Sequence, residues 1–318
     1  MTPRDSIDFS SIRVLDGGMA TELERRGCDI SGPLWSAHVL DQSPGTIAAV
    51  HLDYLRAGAD CISTASYQVS ALGYRELTPD SSEAARRAER ALRQSVEIAE
   101  QARALYAQES PRRIWIAASL GPYGAALHNG AEYHGRYAIA CDDLVAFHAG
   151  RLAILAGTNA DLIALETIPS AEEAQAILRA LESFPALTAW ITFTCRDAAS
   201  VAHGEPLRDC VASLTRHPQV AAVGINCTAP SLITPLIIES RFGHSDRKPT
   251  IVYPNSGETW DPAIRNWSGH ADSTQFGLLA REWFRAGAKA VGGCCRTGPA
   301  HIAAVARAAG ASIPAVSS

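Results

Sequence analysis

One sequence pattern recurs along the chain and limits its fold more than any other feature. In each copy a helical stretch ends in Ala-Gly and is followed within a few residues by a short apolar run. The copies are Ala57-Gly58 before Cys61–Thr64, Ala156-Gly157 before Leu162–Glu166, and Ala286-Gly287 before Ala288–Gly292. Glycine suits the end of a helix, because the chain there often turns through a left-handed conformation. Helices that alternate with short apolar strands predict βα units and a parallel sheet.

The whole chain holds eight candidate strands, several of them apolar throughout, which is typical of strands covered on both faces. They are Arg13–Asp16, Cys61–Thr64, Ile114–Leu120, Leu162–Glu166, Ala189–Phe193, Ala221–Asn226, Thr250–Tyr253 and Ala288–Gly292. Helices are predicted between them, with N-cap residues at Ser43, Asp80 and Ser170. This alternation over 318 residues predicts an α/β fold: a single (β/α)8 TIM barrel that spans residues 1–318 as one domain.

The length also leaves room for insertions in the βα loops. We place them at Ala65–Pro111, Gly121–Cys141 and Ser256–Asp272. In a barrel of this kind the chemistry collects at the carboxyl ends of the strands, where these loops begin.

Three cysteines follow strands at that end. Cys227 closes the run Val223–Asn226, and the pair Cys294-Cys295 follows Gly292-Gly293. We predict that these three thiolates bind one metal ion, zinc, and leave a fourth position open, as catalytic zinc sites do. A redox pair is the alternative for Cys294 and Cys295, although adjacent cysteines form only a strained ring. A closed structural zinc site or a thiol sensor is the other alternative, with Cys195 as the spare sulfur.

Further polar residues end other strands. Asp16-Gly17-Gly18 follows the first, Glu166 ends the fourth, and Asn255 follows the seventh. A carboxylate at the end of an apolar strand needs a partner, which favours a substrate contact for Glu166 over a purely stabilising role. Asp16 has the alternative of capping a helix, and Asn255 that of a turn residue.

The ligand set indicates the kind of reaction. Three thiolates on Zn²⁺ give a complex of formal charge −1, which polarises water poorly but holds a further thiol as thiolate. Histidine-rich or serine-hydrolase motifs such as His-Glu-x-x-His and Gly-x-Ser-x-Gly do not occur. The cysteine set therefore favours alkylation of a thiol over hydrolysis.

Composition excludes several other classes of function. The formal net charge of −5 argues against nucleic acid or an anionic membrane as a partner. No secretory signal opens the chain, and no apolar run reaches the roughly 18 residues of a membrane span. Eight cysteines without a signal peptide predict a reducing, cytoplasmic location.

Taken together, the residues at the strand ends resemble the homocysteine S-methyltransferase family over nearly the whole chain. The matching stretches are Leu15–Leu23, Ser119–Gly124, Glu166–Pro169, Gly224–Cys227, Tyr253–Glu258 and Gly292–Thr297. Within the family the chain looks most similar to the stand-alone enzymes that use S-methylmethionine or S-adenosylmethionine. The resemblance implies a zinc-bearing (β/α)8 barrel with Cys227, Cys294 and Cys295 as the ligands.

The resemblance also implies the substrates and their contacts. Homocysteine is the acceptor and a sulfonium compound the methyl donor, with Asp16 and Glu166 near the amino group of homocysteine. The amides of Gly17-Gly18 are candidates for its carboxylate, and Asn255 is expected near the metal when substrate is absent. Betaine as donor and selenocysteine as acceptor remain open.

Two further expectations concern the donor and the assembly state. Aromatic side chains are candidates for facing the sulfonium by cation–π contact, with ordinary packing as the alternative; they are Tyr67, Tyr123, Tyr133 and Trp260. The chain stops soon after Ile302–Val305 and lacks the C-terminal arm of the betaine-using relatives, which favours a monomer.

Overall fold

The computed structural model describes residues 7, 9, 11–30, 34, 36–242, 248–261, 266–268 and 271–310, without the side chains of residues 36, 37, 259–261 and 266–268. The strands are β1 (Cys61–Ser63), β2 (Trp115–Leu120), β3 (Leu162–Ile168), β4 (Ala189–Phe193), β5 (Val220–Asn226), β6 (Thr250–Tyr253), β7 (Thr259–Asp261), β8 (Asn266–Ser268) and β9 (Ala288–Val291). The helices are α1 (Met19–Arg25), α2 (Ser36–Gln42), α3 (Pro44–Arg56), α4 (Ala71–Tyr74), α5 (Ser81–Tyr106), α6 (Cys141–Ala156), α7 (Ala171–Glu182), α8 (Leu207–Thr215), α9 (Pro230–Arg241), α10 (Ser273–Ala286) and α11 (Pro299–Ala308).

Seven of these strands form one parallel sheet in the order β1-β2-β3-β4-β5-β6-β9. The α/β class and the parallel sheet are therefore confirmed. The predicted first strand, Arg13–Asp16, is reduced to single parallel bridges: Val14 pairs with Val291 of β9, and Leu15 pairs with Cys61 of β1. This short segment thus contacts both edges of a curled sheet. The complete eight-stranded barrel stays a prediction.

The sheet separates two apolar layers, because successive side chains of a strand point to opposite faces. One face of the sheet carries small residues such as Ala117 and Ala164 beside larger ones that include Trp190 and Tyr253, whose side chains are hydrogen-bonded to each other at 3.1 Å. Neighbouring residues of the same strands, such as Ile163, Ile191 and Val223, pack with the helices in a second cluster. Every residue of β2, β3 and β4 is buried, because the sheet is covered on both faces.

Two of the three predicted N-cap residues cap their helices. Asp80 accepts hydrogen bonds from the amides of Ser82 and Glu83, and Ser170 accepts one from Glu173, as their N-cap role predicts. Ser43 makes no side-chain cap, and α3 begins at Pro44. Proline is favoured in the first turn of a helix, because the amide hydrogens of that turn have no acceptor within the helix and the one that proline lacks is not needed.

The predicted insertions differ in content. Most of the segment 65–111 is the 26-residue helix α5, which leads into β2 as an ordinary part of a βα unit. The segment 121–141 holds two 3-10 helices, Tyr123–Leu127 and Ala131–Tyr133, and the segment 256–272 holds the antiparallel pair β7–β8. Residues 262–265 and 269–270 lie outside the described residues. Among the described residues, no helix combines the length and the apolar character that crossing a membrane requires.

Candidate metal and substrate site

The three predicted cysteines meet at the carboxyl end of the sheet. Cys227 and Cys295 have their sulfur atoms 3.6 Å apart, and all three sulfurs lie within 4.8 Å of one another. The backbone joins the segments that carry them: Cys227 donates its amide to Tyr253 O at 3.1 Å, and Cys294 donates its own to Pro254 O at 2.7 Å. The end of β6 therefore binds the Cys227 segment on one side and the Cys294-Cys295 segment on the other.

The spacing of the sulfurs fits a metal ion. Tetrahedral zinc with Zn–S bonds of about 2.3 Å places its sulfur ligands about 3.8 Å apart. No S–S bond joins the cysteines, which are free thiols in the structure. The alternative of a redox pair at Cys294 and Cys295 therefore finds no support. Cys195 is buried elsewhere and is not part of the cluster of described residues that could hold a metal.

The thiols also influence one another's protonation. Hydrogen bonds from Cys227 and Cys294 hold the pKa of Cys295 well below its usual value, because two donors stabilise one thiolate. A thiolate is the form that binds a metal ion.

Asn255 lies between the two cysteine segments. Its amide donates to Thr228 O at 3.1 Å, and the amide of the next residue, Ser256, donates to Cys295 O at 3.0 Å. The side-chain oxygen Oδ1 of Asn255 is buried and has no hydrogen-bond partner. A buried amide oxygen without a donor fits a cation nearby, which agrees with the donor set that the cysteines provide.

Two carboxyl groups lie deeper in the same end of the sheet. Asp16 accepts hydrogen bonds from the amide of Ser63 at 2.7 Å and from its hydroxyl at 3.1 Å, and Ser119 donates to Glu166. Burial raises the pKa of Asp16 to about 8, with a smaller contribution from the charge of Glu166. Burial likewise raises the pKa of Glu166 to about 7, with a smaller contribution from Cys227. Near pH 7, two such carboxyls become fully charged only when a cation is supplied.

The glycine pair is packed against the same segments. A Cβ on Gly18 would lie 2.6 Å from Cys294 O, so only glycine allows the first loop to approach the cysteines this closely. The amide of Gly18 already donates to Thr297, to its carbonyl oxygen at 3.0 Å and to its hydroxyl at 3.2 Å. Of the two amides predicted to bind a carboxylate, Gly17 is therefore the better placed.

The predicted aromatic residues divide between the site and the core. The hydroxyl of Tyr133 lies 3.7 Å from the sulfur of Cys227. The residue as a whole is 49% exposed. Tyr123 packs edge-on against Phe147, with ring centroids 5.2 Å apart, as ordinary packing predicts. The side chain of Trp260 lies outside the described residues.

Sequence reasoning missed Glu132, a buried carboxyl group beside Tyr133. Its pKa is raised to about 7, mainly by burial and further by the charge of Cys227. The only signal in the sequence is a glutamate within the loop Gly130–Gly135, where a solvated position is the default expectation.

A family model described as homocysteine S-methyltransferase matches residues 13–309. The chain belongs to this family. It is 46% identical to homocysteine S-methyltransferase YbgG from Bacillus subtilis over 305 residues, which cover 94% of this chain and 95% of the relative. It is 43% identical to a selenocysteine Se-methyltransferase from Brassica oleracea, covering 92% of this chain and 87% of that protein.

A solved structure of the homocysteine S-methyltransferase family agrees with this assignment. The metallated form of the homocysteine methyltransferase MmuM from Escherichia coli superposes with a TM-score of 0.82 at 41% identity, covering 93% of this chain and 95% of that chain. The family that the sequence resembles is confirmed, and so is the prediction of a methyltransferase.

Proposed function

We propose that the protein transfers a methyl group from a sulfonium donor, S-methylmethionine or S-adenosylmethionine, to the sulfur of homocysteine, giving methionine. The observation that carries this proposal is the meeting of Cys227, Cys294 and Cys295, remote in sequence, within 4.8 Å of one another. Family membership supports homocysteine as the acceptor. The bridges from Val14 and Leu15 to the two edge strands support a closed eight-stranded barrel around the site.

The three cysteines are proposed to hold Zn²⁺, and the metallated form of the Escherichia coli relative supports a metal here. When bound, zinc supplies a position in which the homocysteine sulfur is kept as a thiolate near neutral pH. The orphaned oxygen of Asn255 is a candidate for that position when substrate is absent. Tyr133 can donate a hydrogen bond to the sulfur of Cys227 and so restrain it.

Asp16 and Glu166 are proposed to accept hydrogen bonds from the ammonium group of homocysteine. Both carboxyls are buried, and neighbouring serines orient them. An ammonium group between them lowers both pKa values, because a nearby positive charge favours the carboxylate form. Binding of homocysteine is therefore expected to release protons near pH 7.

The donor is proposed to be a sulfonium because of the charge change during transfer. The thiolate sulfur forms a bond to the methyl carbon while the bond from that carbon to the sulfonium sulfur breaks, and two neutral thioethers result. A reaction that loses charge is favoured by a site that excludes water. The leaving thioether needs no proton, so no general acid is required.

Replacing single cysteines tests the metal site. Cys227→Ala, Cys294→Ala or Cys295→Ala should reduce bound zinc from about one equivalent to near zero, because two thiolates alone bind zinc weakly. Inductively coupled plasma mass spectrometry of the purified protein measures the metal, and methionine formation measures activity. Cys141→Ala, outside the cluster, is the matched control. Full zinc content in all three variants contradicts the proposal.

Selenocysteine is the second candidate acceptor, and the Brassica oleracea relative favours it. A selenol is softer and more acidic than a thiol, so the same three-sulfur site suits it. Parallel assays with homocysteine and selenocysteine against S-methylmethionine, S-adenosylmethionine and betaine identify the pair with the highest kcat/KM. The monomeric state and the cytoplasmic location also stay predictions.

A further inference from the structure

Glu132 is a buried carboxyl group that the contacts described so far do not use. It belongs to the short 3-10 helix Ala131–Tyr133 in the loop that follows β2. Its side chain is 8% exposed, and its Oε2 atom is buried without a hydrogen-bond partner. An unpartnered carboxylate oxygen in a buried position is costly, so a missing cation or donor is the natural explanation.

The backbone of this loop is held rigidly against the site. A Cβ on Gly124 would lie 2.5 Å from the amide nitrogen of Glu132, so the two 3-10 helices approach each other in a way that only glycine permits. Gly135 donates its amide to Ala131 O at 2.8 Å and closes the loop. The next residue, Tyr133, places its hydroxyl on the sulfur of Cys227. Glu132 is therefore positioned by the same short turn that reaches the cysteine cluster.

Glu132 lies within electrostatic range of two cysteines and two tyrosines of the site. The charge of Cys227 contributes to the raised pKa of Glu132, after burial, and Glu132 in turn acts on Tyr67, Tyr133 and Cys295. These four groups are acidic or aromatic. A cation bound here gains both from the carboxylate and from the faces of the tyrosines.

We propose that Glu132 accepts hydrogen bonds from the α-ammonium group of the methyl donor, which selects sulfonium donors that are amino acids. This inference rests on the proposed function. The ammonium group suits Glu132 better than the sulfonium does, because only the ammonium carries N–H donors. A carboxylate on the sulfonium would also stabilise the charge that disappears during transfer and so slow the reaction.

The arrangement provides one acidic site for each of two amino acids. Asp16 follows the bridged residues Val14 and Leu15, and Glu166 belongs to β3; both already accept hydrogen bonds from serines. Glu132, in contrast, comes from a loop and has an oxygen free. Asp16 and Glu166 therefore belong to different elements from Glu132. Homocysteine therefore takes the pair Asp16 and Glu166, and the donor takes Glu132, with its sulfonium turned towards the cysteines.

Two methyl donors distinguish a role of Glu132 in binding the donor from a purely structural role. The first is S-methylmethionine, and the second is 4-(dimethylsulfonio)butanoate, which is the same molecule without its amino group. In the wild-type zinc-loaded protein, kcat/KM is expected to be about 10–100-fold higher for S-methylmethionine, the range of one charge-assisted hydrogen bond. Glu132→Gln should lower kcat/KM for S-methylmethionine by about the same factor and leave the des-amino donor within about twofold.

The controls locate the effect. The KM of homocysteine and the zinc content should not change in Glu132→Gln, and Glu172→Gln, an exposed glutamate on α7, should behave as wild type. An equal loss with both donors, or a raised KM for homocysteine, overturns the inference.

Two further outcomes are informative without the variant. Equal wild-type kcat/KM for the two donors overturns the inference even if Glu132→Gln fails to fold. Absence of methionine formation from every sulfonium donor in the wild-type protein overturns the proposed function itself, and the inference with it.

Discussion

Cys227, Thr167 and Arg296 share an unusual backbone conformation. Their φ angles are 49°, 61° and 66°, in the left-handed region that costs a residue with a side chain about 1–2 kcal/mol. Each lies at the carboxyl end of the sheet: Thr167 follows Glu166, and Arg296 follows Cys295. Backbone strain of this kind persists where the surrounding structure holds it, and it is frequent at functional sites.

The side chain of Asn226 shows how the strain is held. Its Oδ1 accepts the amide of Thr167 at 2.7 Å, and its Nδ2 donates to the hydroxyl of Thr167 at 2.8 Å. Asn226 directly precedes Cys227, so one buried side chain joins the segment that carries Glu166 to the segment that carries Cys227. The positions of Glu166 and Cys227 are therefore fixed relative to each other.

Glu166→Gln tests the predicted contact with homocysteine at this scale. The amide keeps the size of the carboxylate but loses its charge, so the hydrogen bond to the ammonium weakens by about 1.5–3 kcal/mol. We expect the KM of homocysteine to rise about 10–100-fold while the zinc content stays at its wild-type value. Steady-state kinetics with varied homocysteine measures the change.

The donor provides the internal control for this variant. The KM of S-methylmethionine should stay within about twofold in Glu166→Gln, the reverse of the pattern expected for Glu132→Gln. An unchanged KM for homocysteine removes the assigned role of Glu166.

At the scale of elements, Glu173 of α7 joins three parts of the structure. Its carboxylate is fully buried and accepts hydrogen bonds from the amide of Tyr123 at 2.6 Å, from the hydroxyl of Tyr137 and from His148 of α6 at 2.9 Å. Burial lowers the pKa of His148, so its ring is neutral and accepts a hydrogen bond from Arg151 through Nδ1. The network fastens the loop that carries Glu132 and Tyr133 onto α6 and α7.

Glu173→Ala should therefore destabilise the protein strongly. Removal of the carboxylate leaves the amide of Tyr123, the hydroxyl of Tyr137 and the ring of His148 without their acceptor. It also removes the negative charge that stabilises the buried Arg151, and breaking a buried charge pair costs about 3–5 kcal/mol. We expect the free energy of unfolding to fall by that amount in urea denaturation followed by circular dichroism.

The neighbouring residue supplies the matched control for Glu173→Ala. Glu172 occupies the same first turn of α7 but is exposed, so Glu172→Ala should change the free energy of unfolding by no more than about 0.5 kcal/mol. Similar losses in the two variants contradict the proposed role of the network.

At the scale of the whole molecule, the buried acids make stability depend on pH. The pKa of Asp16 is about 8 in the folded chain against an ordinary value of 3.8. Between those values the folded chain keeps a proton that the unfolded chain has lost, so the free energy of unfolding falls as pH rises. His51, with its pKa lowered to about 4 by burial, acts in the opposite direction, but only up to its ordinary value of 6.5.

Asp16→Asn isolates this contribution in the metal-free, reduced protein. Between about pH 6.5 and 7.5, Asp16 alone contributes a slope of up to about −1.4 kcal/mol per pH unit, which the variant should lack. Urea denaturation at three or four pH values measures both slopes. Parallel pH profiles for the wild type and Asp16→Asn contradict the raised pKa.

Much of this arrangement is encoded locally. The Ala-Gly dipeptides lie at the ends of α3, α6 and α10. The N-cap residues Asp80 and Ser170 begin α5 and α7. Both features can be found in the sequence, because capping depends on neighbouring residues. Apolar runs determine seven of the predicted strands to within two residues of their observed ends. Since parallel strands bring their carboxyl ends to one edge, the three cysteines could be placed together from the sequence alone.

Only the tertiary structure decides how each of these residues is used. Glu132 is an ordinary loop glutamate in the sequence, and its burial depends on Gly124 and on the cysteine cluster that the fold brings to it. The amide of Gly18 donates a hydrogen bond to Thr297, which lies 279 residues further along the chain. Local sequence determines the elements, whereas burial and hydrogen-bond partners depend on groups far apart in the chain that come together only once the sheet has curled.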